Sequence, residues 1–174
     1  MQSGGMDSKV ASRGITLFTL GLALAIALNQ LWSLVLPAWL LFPLLAGAVT
    51  ITGLLYPYVS GEDAPDISEI MRCVAVSVGI FQASTKIDFS SYIELAVTMG
   101  ALGVGMWWLF DRSKGGLLLS FVLTLLSTGI TAVLLHLYNV KLSDPRFFYS
   151  RLWCIYFSGC ITFGTIGRRL ALSD

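Results

Sequence analysis

The chain has 174 residues, 56% of them hydrophobic and 12% charged, with a net charge of +1 and a mean hydropathy of +0.79. A soluble domain carries roughly a quarter charged residues, so this composition excludes one: lipid must solvate part of the surface. The net charge decides nothing about nucleic acid, but no basic patch interleaved with aromatics appears, which argues against nucleic-acid binding.

Residues 1–14 are polar and are expected to form a disordered cytosolic N-terminus. An apolar segment over 15–36 follows Arg13. It is too long for a signal-peptide core and lacks a clear cleavage site, so it reads as a retained transmembrane helix. The second segment, 38–56, lies between Pro37 and Pro57, and Pro43 inside it is expected to free a carbonyl and kink the helix. The third begins near Ile70 and ends before Lys86. The fourth, 95–110, ends in Trp107-Trp108-Leu109-Phe110, where indoles suit the headgroup level, before Asp111-Arg112 returns to water. The fifth covers 117–138 and the sixth 152–167, with Phe147-Phe148-Tyr149 before it as an interfacial belt. About 20 apolar residues cross a bilayer. The fold expected is therefore an all-α membrane protein: a compact bundle of six transmembrane helices, forming one domain over 15–172.

With six spans, both termini share a side. That side holds seven basic residues (Lys9, Arg13, Arg72, Arg112, Lys114, Arg168, Arg169) against four on the other (Lys86, Lys141, Arg146, Arg151). The excess places both termini in the cytosol.

Ser120, Thr124, Ser127 and Thr131 share one face of the fifth helix, and Cys154, Ser158, Thr162 and Thr165 one face of the sixth. Two readings stand: the hydroxyls bond the preceding turn and admit a close neighbour, or they wall a semi-polar cavity. Glu94, Thr98, Ala101, Gly105 and Trp108 recur at helical spacing on the fourth helix. A carboxylate at Glu94 is costly unless it snorkels, pairs or is protonated. Arg72 is expected to snorkel or to pair with Glu69, and Gln82 to find a hydrogen-bond partner. Asp111-Arg112 and Arg168-Arg169 read as anchors at helix ends.

Nothing marks a catalytic centre. Cys73, Cys154 and Cys160 lie in apolar runs, His136 is the single histidine, and neither H-E-x-x-H nor G-x-S-x-G occurs. The residues point to a non-enzyme without metal or cofactor. A small transporter is the weaker alternative, since no inverted repeat is visible. Whether copies associate as a homo-oligomer stays open.

Four motifs carry a resemblance: Gly53-Leu54-Leu55-Tyr56-Pro57, Met71-Arg72-Cys73-Val74-Ala75-Val76, Ala83-Ser84-Thr85-Lys86-Ile87-Asp88-Phe89 and Trp107-Trp108-Leu109-Phe110-Asp111-Arg112-Ser113. With Gly159, Ile161-Thr162, Ile166-Gly167-Arg168 and Leu170-Ala171, the chain resembles the Insig family from Arg13 to Leu172. The resemblance implies six transmembrane helices with cytosolic termini. In eukaryotes it implies residence in the endoplasmic reticulum and binding of oxysterols. The implied partners are the sterol-sensing domains of Scap and HMG-CoA reductase, bound in a way that restrains sterol synthesis.

The ligand implied is a membrane lipid or sterol, held on the third and fourth helices by Ser77, Gln82, Glu94, Thr98 and Trp107. Asp111 is implied in partner binding, and Asp111→Ala is expected to keep the fold while weakening partner capture. Ser77, Phe81-Gln82 and Glu94 replace the Phe, Asn-His and Gln of vertebrate members, all on the implied ligand face. Similar chains in bacteria imply the alternative, a plasma-membrane homologue holding a glycerolipid such as diacylglycerol in a central cavity, without Scap partners.

Overall fold

The computed structural model describes residues 3–32, 38–60, 64–87, 89–139 and 144–172. Six helices account for nearly all of them: α1 (Ser3–Trp32), α2 (Ala38–Val59), α3 (Ile67–Lys86), α4 (Tyr92–Phe110), α5 (Lys114–Leu137) and α6 (Pro145–Leu172). Local chemistry fixes several ends. The Ser91 hydroxyl accepts from the Ile93 amide at 3.1 Å and starts α4; Ser113 accepts from the Gly116 amide at 2.9 Å and starts α5. Pro145 opens α6, where its missing N–H costs nothing. Asn139, at φ 51°, closes α5 in the left-handed conformation that Asn tolerates.

The element bounds differ from the sequence reading in three places. α1 reaches back to Ser3, through the polar stretch expected to be disordered. α2 continues through Pro57 to Val59, with both Pro43 and Pro57 inside it. α6 is much longer than 152–167 and takes in Phe147, Phe148 and Tyr149 as its first turns.

α6 sits at the centre and packs against all five other helices. α1 lies on α2, and α3 on α4. α4 and α5 follow each other in the chain and both pack on α6, yet hardly touch one another. The core joins Cys73 and Ile80 of α3, Leu95, Met99 and Met106 of α4, and Cys154, Phe157 and Ile161 of α6.

Two close approaches set the α2–α6 crossing. A Cβ on Gly164 would strike the Tyr56 ring, and one on Gly167 would strike the Gly53 backbone carbonyl. Pro57 supplies no amide for that same carbonyl, because proline lacks the N–H that would bond four residues back. The freed oxygen faces Gly167 instead. Glycine at 167 is what lets the two backbones meet.

The threonines of the hydroxyl stripes follow the first of the two readings. Thr124, Thr131, Thr162 and Thr165 each donate to the carbonyl four residues back, at 2.7–2.9 Å. That turns polar side chains into backbone-satisfied, compact surfaces at the centre of the bundle. A few reach across helices: Thr131 and the Tyr156 hydroxyl lie 2.8 Å apart, and the Cys154 thiol donates to the Met99 carbonyl at 3.2 Å.

Among the described residues, four helices are long and apolar enough to cross a membrane, over Lys9–Ile26, Ile67–Ser84, Tyr92–Phe110 and Lys114–Leu137. Their outer faces carry exposed Val, Leu, Ile and Phe, including Val97, Val104, Leu118, Leu125 and Val133. Such surfaces belong in hydrocarbon, and the protein is an integral membrane protein.

Candidate functional site

Two regions collect the polar side chains that bulk packing does not explain. The first is the outer face of α3 and α4. Glu94 and Thr98 are about 40° apart around α4, and both are exposed on the outside of the bundle. Glu94 lies in the first turn of α4, where a carboxylate opposes the positive end of the helix dipole. Across from them on α3, Ser77 is half-buried and Gln82 is exposed.

Trp107 does not join this face. It is about 140° around α4 from Glu94 and packs against the core. Its indole N–H donates to the Ser113 carbonyl at 2.9 Å, closing the turn into α5. Of the six residues singled out from the sequence, Ser77, Gln82, Glu94 and Thr98 thus lie toward the outer surface, while Trp107 and Asp111 belong to a second region.

That second region is a polar junction at the end of the bundle that carries both termini. Arg13 donates to the Ala171 carbonyl at 3.1 Å, which ties α1 to α6 at this end. The three-residue turn from α4 to α5 must reverse the chain within a few ångströms. It does so by placing Arg112 at φ 52°, a conformation costly for a side chain with a Cβ. Arg112 is held there by a 3.0 Å bond from Nε to the Trp108 carbonyl and by its guanidinium over the Trp108 ring at 5.7 Å. The reversal turns Asp111 inward, and its side chain is wholly buried.

Four groups meet this carboxylate. The Tyr56 and Ser113 hydroxyls donate to Oδ2, each at 2.9 Å, and the Ser60 hydroxyl to Oδ1 at 2.6 Å. Arg168 Nη1 is 3.4 Å from Oδ1 and donates to Ser60 Oγ at 2.8 Å. A Cβ on Gly116 would overlap the carboxylate, so glycine there makes room for it. The junction therefore ties the end of α2, the α4–α5 turn and the end of α6 around one negative charge. A buried ion pair needs such extra hydrogen bonds to offset desolvation.

This overturns the reading of Asp111 and Arg168 as anchors at the water boundary. Both are interior, and they neutralise each other. Arg112 does remain exposed. Arg169 also departs from a free anchor: it donates to the Pro65 carbonyl at 2.7 Å and lies 3.9 Å from Asp66, fastening the α2–α3 connection. Arg72 is exposed and forms no ion pair with Glu69; both line a cleft of about 570 Å³ between α3 and the end of α4. A second cleft of about 510 Å³ adjoins it, lined by Pro65, Glu69, Phe110, Asp111, Arg112 and Arg168. Sequence reading missed Tyr56, Ser60, Ser113 and Arg168 as one group. The available signal was that all four fall at helix ends on the same side as Asp111.

An all-helical membrane protein with a central small-residue helix, closed at one end by a buried aspartate–arginine junction, is the class this architecture defines. The family model of insulin-induced protein (INSIG) matches residues 56–171, a stretch that begins at Tyr56 and contains Ser60, Asp111, Ser113 and Arg168. The chain is 38% identical over 185 residues to the insulin-induced gene 1 protein of Bos taurus, covering 94% of this chain and 67% of that one. It is 40% identical over 194 residues to the insulin-induced gene 2 protein of Gallus gallus, covering 99% and 85%. Against the insulin-induced gene 1 protein of Homo sapiens it is 37% identical over 186 residues. The chain belongs to the insulin-induced protein family.

Proposed function

We propose that this protein is a non-catalytic membrane adaptor. In this reading six spans place both termini in the cytosol. The α3–α4 outer face binds a sterol-sensing-domain protein such as Scap or HMG-CoA reductase when an oxysterol is present, and so restrains sterol synthesis from the endoplasmic reticulum. The observation that carries the reading is the exposure of Glu94 and Thr98 on the outside of a membrane-length helix. Polar groups facing lipid are costly, and a partner or a hydroxylated ligand over that face removes the cost. A sterol suits it, being a rigid apolar body with few hydroxyls that needs a largely apolar wall and a few polar groups. Asp111 then acts on partner binding indirectly: being buried, it holds the α4 end and the α4–α5 turn in the shape that a partner meets.

The test is capture of the Scap membrane domain by the purified protein, with and without 25-hydroxycholesterol. Sterol-dependent capture, lost when Thr98 is replaced by Leu, is the expected result. Capture that ignores both sterol and Thr98→Leu rejects the reading. Lipid mass spectrometry of the gently purified protein separates the alternative. A retained glycerolipid in place of a sterol assigns the same fold to a lipid-binding homologue of the bacterial plasma-membrane type, without those partners.

A further inference from the structure

α4 and α5 are joined by only three residues, yet they splay apart over α6. The gap is a groove of about 350 Å³. Gly100 and Gly103 line its α4 side, Phe121 its α5 side, and Trp153 and Phe157 its floor on α6. Its wall is almost entirely apolar, and the one charged side chain in it is Lys114, at the first position of α5.

The groove lies on the outside of two membrane-length helices, so hydrocarbon surrounds it. Along α5 the groove runs from Lys114 at its mouth to Phe121, about 10 Å from the helical rise. That lies within the roughly 15 Å of one leaflet's hydrocarbon. A narrow apolar channel of that depth, with a cation at its headgroup end, matches a single acyl chain below an anionic headgroup. Among the described residues, Lys114 has no acidic partner. The nearest carboxylate in sequence, Asp111, is buried and already neutralised by Arg168 and three hydroxyls. The ammonium at the mouth is therefore free for a phosphate.

The walls are built to stay open. A Cβ on Gly100 would meet nothing within 4 Å, so the missing side chain leaves space in the groove without serving any helix contact. Gly103 lies beneath it, its Cβ position 3.1 Å from the Phe157 ring. Phe121 and Trp153 brace each other edge-to-face at 5.2 Å across the far side.

We propose that the α4–α5 groove holds one acyl chain of an anionic glycerophospholipid, with its phosphate on Lys114. This site is separate from the α3–α4 face proposed for the sterol and the partner, and it does not depend on that reading.

The experiment reconstitutes the full chain in phosphatidylcholine nanodiscs doped with one of two probes. Both carry a photoreactive diazirine in one acyl chain; one is a phosphatidate and the other a phosphatidylcholine. Labelled peptides are mapped by mass spectrometry. The phosphatidate should label the peptides containing Gly100, Phe121 and Trp153 several-fold more than the phosphatidylcholine does. Gly100→Phe, which fills the open space, should abolish that labelling, while Lys114→Gln should keep it but erase the headgroup preference. Equal labelling by both probes in the unaltered chain overturns the anionic assignment. Labelling unmoved by Gly100→Phe overturns the groove. Cross-links between two copies at these peptides would assign the groove to self-association and also overturn it. Lys114 is exposed, so the Lys114→Gln arm is informative even if the Phe variant folds poorly.

Discussion

Asp111 and Arg168 lie 57 residues apart in sequence and 3.4 Å apart in space, each with its charged group withdrawn from solvent. Removing the aspartate leaves a buried guanidinium uncompensated and deprives Tyr56, Ser60 and Ser113 of their acceptor. Breaking one half of a buried pair costs on the order of 3 kcal/mol. Asp111→Ala should therefore lower the thermal midpoint of the detergent-purified protein clearly, contrary to the expectation that it leaves the fold untouched. Adding Arg168→Leu should restore part of the loss, since the stranded charge is gone. A double-mutant cycle measures this; strictly additive losses would mean that the two residues do not interact.

The glycines of the bundle should separate into two groups. Gly167→Ala presses a methyl into the Gly53 backbone and should cost about 1–3 kcal/mol, the usual range for overpacking. Gly159→Ala has open space around its Cβ and should be neutral or stabilising by about 0.5–1 kcal/mol through helix propensity. Thermal unfolding of the two variants side by side tests the contrast. Equal effects would contradict the α2–α6 crossing described here.

Tyr156→Phe deletes one hydroxyl from the 2.8 Å contact with Thr131, linking α5 to α6. Interhelical hydrogen bonds in membrane proteins average about 0.6 kcal/mol, so the loss should be small. Thr131 keeps its own bond to the Ser127 carbonyl. A loss of several kcal/mol in the same unfolding assay would reveal a larger network at that position.

Glu94→Gln should change the stability of the isolated protein by less than about 0.5 kcal/mol, as expected for an exposed site without internal partners. Its effect should appear only in capture of a membrane partner or ligand. A marked fall in the thermal midpoint would place the carboxylate in the fold instead of on a binding face.

The order and approximate positions of the helices were legible because apolar length and charged boundaries are local signals. The stripes carrying Thr124 and Thr131 on α5, and Thr162 and Thr165 on α6, were legible for the same reason: helical spacing alone puts each on one face of its helix. α6 was read as too short, and the cause is physical. It faces protein on nearly every side, so it needs small and hydroxylated residues where lipid-facing helices need Leu and Val. Its ends therefore resemble loop sequence. The inward turn of Asp111 was hidden as well. It depends on the left-handed backbone of Arg112 and on partners from α2 and α6, neither of which spacing within α4 can reveal. Trp107 entered the ligand set through the family resemblance, whereas helical spacing put Trp108 on the Glu94 face; the one-position difference around α4 sends Trp107 to the core while Trp108 faces out.

The central position of α6 has a consequence for biogenesis. Its five neighbours all precede it in the chain. Until α6 is made, the helices that pack on it leave an unfilled socket whose buried residues include Tyr56, Ser120 and Thr124. Until Arg168 emerges, the Asp111 charge has no counter-ion. Assembly must therefore wait for synthesis to pass this point, and a nascent chain stalled before Pro145 would present the membrane's quality-control machinery with an unpaired carboxylate and an open polar seam.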